Sequence, residues 1–295
     1  MAAGTYPDDV EARAAMTTTT WTLSGFGDEI DPDPRIQVAV LQALGARAIE
    51  VRSAWGVNVV ELDDQQLEEL AGILETAGMT VSAVASPIGK VPLDAPIADE
   101  VARLERIVRV AHRLGARFIR VFSFYPAEGT DPDDAHDATV ASMRALADTA
   151  HAANLVLLHE NEKGIYGDTP ERVHAMVTAV DSPALRLAWD SANFVQVGVE
   201  HPHDDGWALL APYVDYLQVK DALAATGEVV PAGQGQGQVA KTVAALRDAG
   251  YEGFVSLEPH LAEGHELGGF SGPFAFGDAA RALHAIADEA GIALR

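Results

Sequence analysis

Eight short apolar runs recur along the chain at intervals of 25–40 residues: WTLSGF (21–26), RAIEVR (47–52), TVSAVA (80–85), RFIRVF (117–122), LVLLHE (155–160), LRLAWD (185–190), VDYLQV (214–219) and FVSLEP (254–259). Runs rich in Val, Leu, Ile and Phe are what strands of a parallel sheet require when both faces are covered. The stretches between them have helical periodicity. PRIQVAVLQALG (34–45) sets Ile36, Val40, Leu41 and Leu44 on one face, and QQLEELAGILETAG (65–78) does the same with Leu67, Leu70, Ile73 and Leu74. The segments 98–115, 139–154, 170–181 and 240–250 behave alike, and a last helix is expected over about 277–291. Several end in Gly or Asn just before a strand, a common helix stop. Alternating strands and helices imply a parallel sheet. Eight such units imply closure, so the expected fold class is α/β, a single (β/α)8 TIM barrel. No composition break divides the chain. One catalytic domain is expected over 20–295, preceded by a flexible leader at 1–19.

The formal net charge is -24, from 44 acidic and 20 basic residues. That balance opposes a phosphate-backbone partner and a polybasic membrane anchor, so neither nucleic acid nor membrane is expected as a partner. No apolar run approaches about 18 residues, and the acidic N-terminus lacks signal-peptide character, which points to a cytoplasmic protein. The absence of cysteine excludes disulfides, thiolate metal sites and cysteine nucleophiles. The glycine-rich tract TGEVVPAGQGQGQV (226–239) lacks the strand–GxGxxG–helix context of a dinucleotide site. It reads as a flexible loop, and no nucleotide cofactor is expected.

Four polar residues end or nearly end consecutive runs: Glu160, Asp190, Gln218 and Glu258. Their separations of 30, 28 and 40 residues each match one strand–helix unit. Barrel active sites lie at the C-terminal ends of the strands. A carboxylate there is costly to bury unless positive charge meets it. An acid-rich chain also ends some strands in carboxylates by chance, but four in register could converge on one metal ion. Their hard oxygen donors suit Mg²⁺ or Mn²⁺. Asp28, Glu29, Arg52, Ser53, Trp55, Lys90, His159, Asn193, Lys220, Asp221 and His260 share the expected rim. Trp55 and Phe124 suit the apolar face of a sugar or the core, and Lys90 in SPIGK suits an anionic or polyhydroxylated ligand.

In order, GFGDEID, EVRSAWG, SPIGK, RVFSFY, HENE, WDSANF, YLQVKDA and SLEPH give residues 21–291 a family resemblance. The chain resembles the xylose isomerase-like barrel superfamily, in its sugar isomerase/epimerase branch. The resemblance implies one divalent metal ion, Mn²⁺ or Mg²⁺ with Co²⁺ or Zn²⁺ as alternatives, held by Glu160, Asp190, Gln218 and Glu258. Many relatives carry His at the third position, and Gln occurs in hydroxypyruvate isomerase-like members. It further implies an isomerase or epimerase of a keto-sugar or related polyhydroxy carbonyl compound, working through a metal-stabilised enediolate with Glu160 and Glu258 as acid/base pair. Lys90, Trp55, Glu162, Asn193, Lys220 and His260 are then the expected substrate contacts. In relatives the place of Asn193 holds a substrate-contacting His, which argues against transferring ketohexose 3-epimerase specificity. The superfamily also includes endonuclease IV-like enzymes, which the charge balance disfavours.

The same scaffold supports a lyase of the inosose dehydratase or 3-keto-glycoside eliminase type, with His260 or His159 as leaving-group acid. A non-catalytic sugar-binding barrel is a third reading. Related barrels imply a homo-oligomer, dimer or tetramer. The segment 260–277 is expected to be a lid, a subunit contact or a mobile loop.

Overall fold

The computed structural model describes residues 19–265 and 268–295. The expected leader therefore falls outside the described residues apart from Thr19, which is already in a strand. Eight parallel strands follow the eight apolar runs: β1 (Thr19–Gly25), β2 (Ala48–Val51), β3 (Thr80–Ala85), β4 (Phe118–Val121), β5 (Val156–Glu160), β6 (Leu185–Asp190), β7 (Val214–Val219) and β8 (Phe254–Leu257). They pair in sequence order from β2 to β8, and β8 pairs with β1 through Thr22 to Gly25. A single parallel bridge, Phe26 to Glu50, joins the ends of β1 and β2 and closes the ring. A short C-terminal strand, β9 (Ile292–Leu294), pairs with Thr19–Trp21 along the edge of β1 that β8 leaves open. This is the expected (β/α)8 barrel.

The helices are α1 (Pro34–Ala43), α2 (Asp64–Ala77), α3 (Ile97–Leu114), α4 (His136–Ala152), α5 (Pro170–Val180), α6 (Ser191–Gln196), α7 (Pro202–Leu210), α8 (Val239–Asp248) and α9 (Gly272–Glu289). Their ends follow local chemistry. Asp63 and Gln66 form a reciprocal capping box on α2, and Gly78 at φ +63° stops it in the left-handed region that glycine tolerates. The helices α6 and α7 have no counterpart in the amphipathic pattern, because Gly198 and Pro202 break it into pieces too short to show a stripe. Helix α9 starts at Gly272, five residues before the expected start, with Pro273 in its first turn.

Alternation along the strands divides the core. Trp21, Leu23, Ile49, Val84, Ile119, Leu157, Leu187, Leu217 and Val255 face outward and pack beneath the helices. The inward side has two layers. Its floor is apolar: Ala83, Phe118, Leu158, Ala188 and the ring of Tyr216, with Phe254 edge-on to Phe118. Its mouth, at the C-terminal strand ends, is charged.

The glycine-rich tract is ordered, contrary to the flexible loop expected of it. Asp221, fully buried, accepts backbone N–H bonds from Ala222, Gly233, Gly235 and Gly237 at 2.7–3.0 Å. The two intervening amides, of Gln234 and Gln236, donate to Pro231 O and Ala222 O. A Cβ at Gly235 would sit 2.4 Å from both Ala222 O and Asp221 Oδ1, so only glycine lets the backbone wrap this closely.

Candidate metal centre

Two residues on from the floor, the same strand faces bring charge together. Glu160 ends β5, Asp190 ends β6, Gln218 lies late in β7 beside Asp190, and Glu258 follows β8. All four are at most 2 % exposed. Oxygen atoms of Glu160, Asp190 and Glu258 lie within 4.8 Å of one another. Asp190 also caps α6, its Oδ1 accepting the backbone N–H of Asn193, so the strand-to-helix turn fixes the carboxylate.

The positive charge that such burial demands comes from residues on or just after four strands. Lys220 Nζ lies 2.6 Å from Glu258 Oε2, 2.7 Å from Asp190 Oδ2 and 4.0 Å from Glu160 Oε1. Arg120 on β4 donates to Glu160 Oε2 at 2.9 Å and stands 3.7 Å from Glu258. Arg52, after β2, binds Asp28 at 2.8 Å and stands 3.4 Å from Glu258 and 3.9 Å from Glu29. His260 Nε2 lies 3.0 Å from Glu29 and 3.4 Å from Glu258. Five buried carboxylates thus face two guanidinium groups, one ammonium and one imidazole.

This shortage of positive charge shifts the titrating groups. Burial, reinforced by Glu160 and Glu258, pushes Asp190 up to about 7 against the pull of Lys220. Burial also raises Glu160, with Glu258 adding to it. Glu258 is held well below its usual range, because Lys220, His260 and Arg120 together outweigh its burial. Burial disfavours the charged ring of His260, yet Glu258 and Glu29 raise it to about 9.

A divalent cation fits these donors. Hard carboxylate oxygens converge, the carboxylates outnumber the cationic groups around them, and Gln218 Oε1 is buried without any hydrogen-bond partner. Its amide nitrogen is spoken for, donating to Glu50 Oε1 at 3.1 Å.

The other expected residues divide. Lys220 and His260 touch the carboxylates. Asn193 is buried and spends its amide nitrogen on Glu160 Oε1 (3.0 Å) and Asn161 O (2.8 Å), so it holds a candidate ligand in place where a substrate contact was expected. Lys90 Nζ pairs with Glu162 at 3.1 Å and lies over the Phe122 ring, with both side chains partly exposed. Trp55 forms the tip of the Ser53–Ala54/Val57–Asn58 hairpin at φ +55°, half-buried against the core, and Phe124 is a core residue. His159 does not join the site. It neighbours Glu160 on a strand and so faces the opposite side, where its Nε2 bonds Ser123 Oγ at 2.9 Å. The expectation that it could serve as leaving-group acid is corrected on that ground.

Arg120 and Glu50 escaped sequence reasoning because both lie inside strands. An arginine between Phe118 and Phe122 in a buried run is the signal that would have marked the first. The segment after β8 forms a hairpin, Ala262–His265 with Gly268–Phe270, and residues 266–267 lie outside the described residues. The hairpin is tied to the mouth: Arg52 donates to Gly269 O, and Glu29 Oε2 accepts from His260 N and Ser271 Oγ. Among the described residues no helix is long and apolar enough to cross a membrane.

The comparisons with known proteins agree with this architecture. A curated relative, the 2-epi-5-epi-valiolone 7-phosphate 2-epimerase of an Actinoplanes species, is 30% identical over 219 residues, covering 69% of this chain and 77% of its own. A xylose isomerase-like TIM barrel protein from Mycobacterium smegmatis, solved with magnesium, superposes with TM-score 0.67 at 19% identity, covering 92% of this chain and 98% of that one. A D-tagatose 3-epimerase-like protein superposes with TM-score 0.73 at 14% identity, over 91% and 98%. The profile of the xylose isomerase-like TIM barrel family matches residues 38–289, and the chain belongs to that family.

Proposed function

We propose that this protein is a divalent-metal-dependent isomerase or epimerase that moves a proton next to the carbonyl of a keto-sugar or related polyhydroxy compound. The observation that carries the reading is the convergence of buried Glu160, Asp190 and Glu258 with the unpartnered oxygen of Gln218. The epimerase relative adds support.

Glu160, Asp190, Gln218 and Glu258 would hold the ion, which when bound supplies the Lewis acidity that polarises a carbonyl. Glu160 and Glu258 reach the centre from strands separated by β6 and β7. One would take a proton from carbon and the other would return one. Asn193 and Arg120 fix the Glu160 carboxylate, and Lys220 and His260 flank that of Glu258. Lys220 offers an ammonium to a developing oxyanion. Farther out, the partly exposed Lys90–Glu162 pair presents a donor and an acceptor suited to sugar hydroxyls.

The test is incubation with a panel of keto-sugars and Mn²⁺ in D₂O, read by NMR and mass spectrometry. Deuterium at the carbon beside the carbonyl, with the carbon skeleton and oxygen count conserved, is expected. Loss of water or release of an aglycone would assign the lyase instead. A metal-loaded protein that exchanges no proton in any sugar of the panel would count against both enzymes.

A further inference from the structure

Gln218 poses a problem that a carboxylate ligand does not. An amide has one end that accepts and one that only donates, and a cation can use only the accepting end. Left to itself, the Gln218 amide would turn its NH₂ toward Glu160, Asp190 and Glu258, and would meet a metal ion with hydrogens. Something must hold the other orientation.

We propose that Glu50 is a positioning residue that fixes the Gln218 amide with its oxygen toward the metal centre. The inference rests on Gln218 being a metal ligand, as the proposed function has it. Glu50 is 1 % exposed, on β2, and reaches across the barrel interior to β7. Its Oε1 accepts the Gln218 Nε2 hydrogen at 3.1 Å, which leaves Gln218 Oε1 as the unpartnered end. The reverse orientation would press two acceptor oxygens together.

Glu50 is itself held. Tyr216 OH donates to its Oε2 at 2.9 Å, and the Tyr216 oxygen lies 2.8 Å from Ser82 Oγ. Ser82 Oγ lies 2.6 Å from Ser24 Oγ. All of these groups are at most 1 % exposed, so a chain of hydrogen bonds through β1, β3 and β7 supports the carboxylate from the floor side. Partners one step removed from the metal commonly set ligand orientation in this way, and their loss typically weakens metal binding by roughly 10–100-fold.

The experiment measures Mn²⁺ affinity by calorimetry on the full-length, metal-stripped protein, with thermal unfolding recorded alongside. Glu50→Leu removes the acceptor, and Mn²⁺ affinity is expected to fall by roughly 10–100-fold. The exchange variant Glu50→Gln/Gln218→Glu keeps the hydrogen bond with donor and acceptor reversed. Its ligand has oxygen at both ends and needs no orienting, so affinity is expected within a few-fold of wild type, or tighter. If Glu50→Leu does not fold, the exchange variant alone decides. Wild-type affinity in a folded Glu50→Leu, or an exchange variant binding tens-fold more weakly than wild type, overturns the proposal while leaving the metal reading intact. A wild-type protein that takes up no Mn²⁺ overturns both.

Discussion

Leu158 and Glu160 stand two residues apart on the same face of β5, yet belong to opposite regimes. Leu158 joins the apolar floor, where contacts among Phe118, Ala188 and Tyr216 complete themselves without any ligand. Glu160 joins the mouth, where burial outruns the positive charge available to meet it. The floor is built to be stable and the mouth to be incomplete. One strand serves both because alternation sends Leu158 and Glu160 inward and leaves His159 on the helix side.

Three substitutions on consecutive residues of β5 test that contrast. The largest effect belongs to the mouth. Glu160→Gln is expected to lower kcat/KM by at least roughly 10³-fold and to weaken Mn²⁺ uptake, with an unchanged far-UV circular dichroism spectrum. Full activity in this variant would remove Glu160 from the chemistry. Next comes the floor. Leu158→Ala opens a cavity among closely packed side chains and should cost about 2–5 kcal/mol in urea unfolding, with turnover preserved at temperatures where the fold persists. A Leu158→Ala protein that is stable but inactive would erase the boundary between the layers.

The smallest effect is the acid response of His159. Burial pushes its imidazole down to about 3, while the unfolded chain titrates near 6.5. Below about pH 6.5 the unfolded state therefore binds the extra proton, and stability falls as pH falls. The contribution is fully present above that pH and amounts to a loss of about 2 kcal/mol by pH 5. Comparing urea midpoints of wild type and His159→Gln at pH 7 and pH 5 isolates it, and the variant should show the shallower acid slope.

The strands could be read from sequence because apolar runs buried on both sides carry one unbroken signal. The acidic residues at their ends could be read because ionisable groups are conspicuous there. What could not be read was which neighbours meet them. Arg120 reaches Glu160 across 40 residues of chain through the pairing of β4 with β5, and Glu50 reaches Gln218 across 168 residues because the ring closes. Arg52 and Glu29 likewise find Glu258 and His260 through closure at β1, β2 and β8. Helices α6 and α7 were hidden for a local reason, since Gly198 and Pro202 leave neither long enough for a full apolar stripe.

The loop around Asp221 has the outward form of an anion cradle, with alternate backbone amides turned onto one carboxylate. Its anion is a side chain of the same molecule, held covalently at the end of β7. A diffusing guest would fill such a cradle only as its concentration allowed. A tethered one is present at an effective concentration that dilution cannot lower. The loop beside Lys220 therefore takes its shape before any substrate arrives, and a substrate phosphate would have to displace a resident carboxylate to use it.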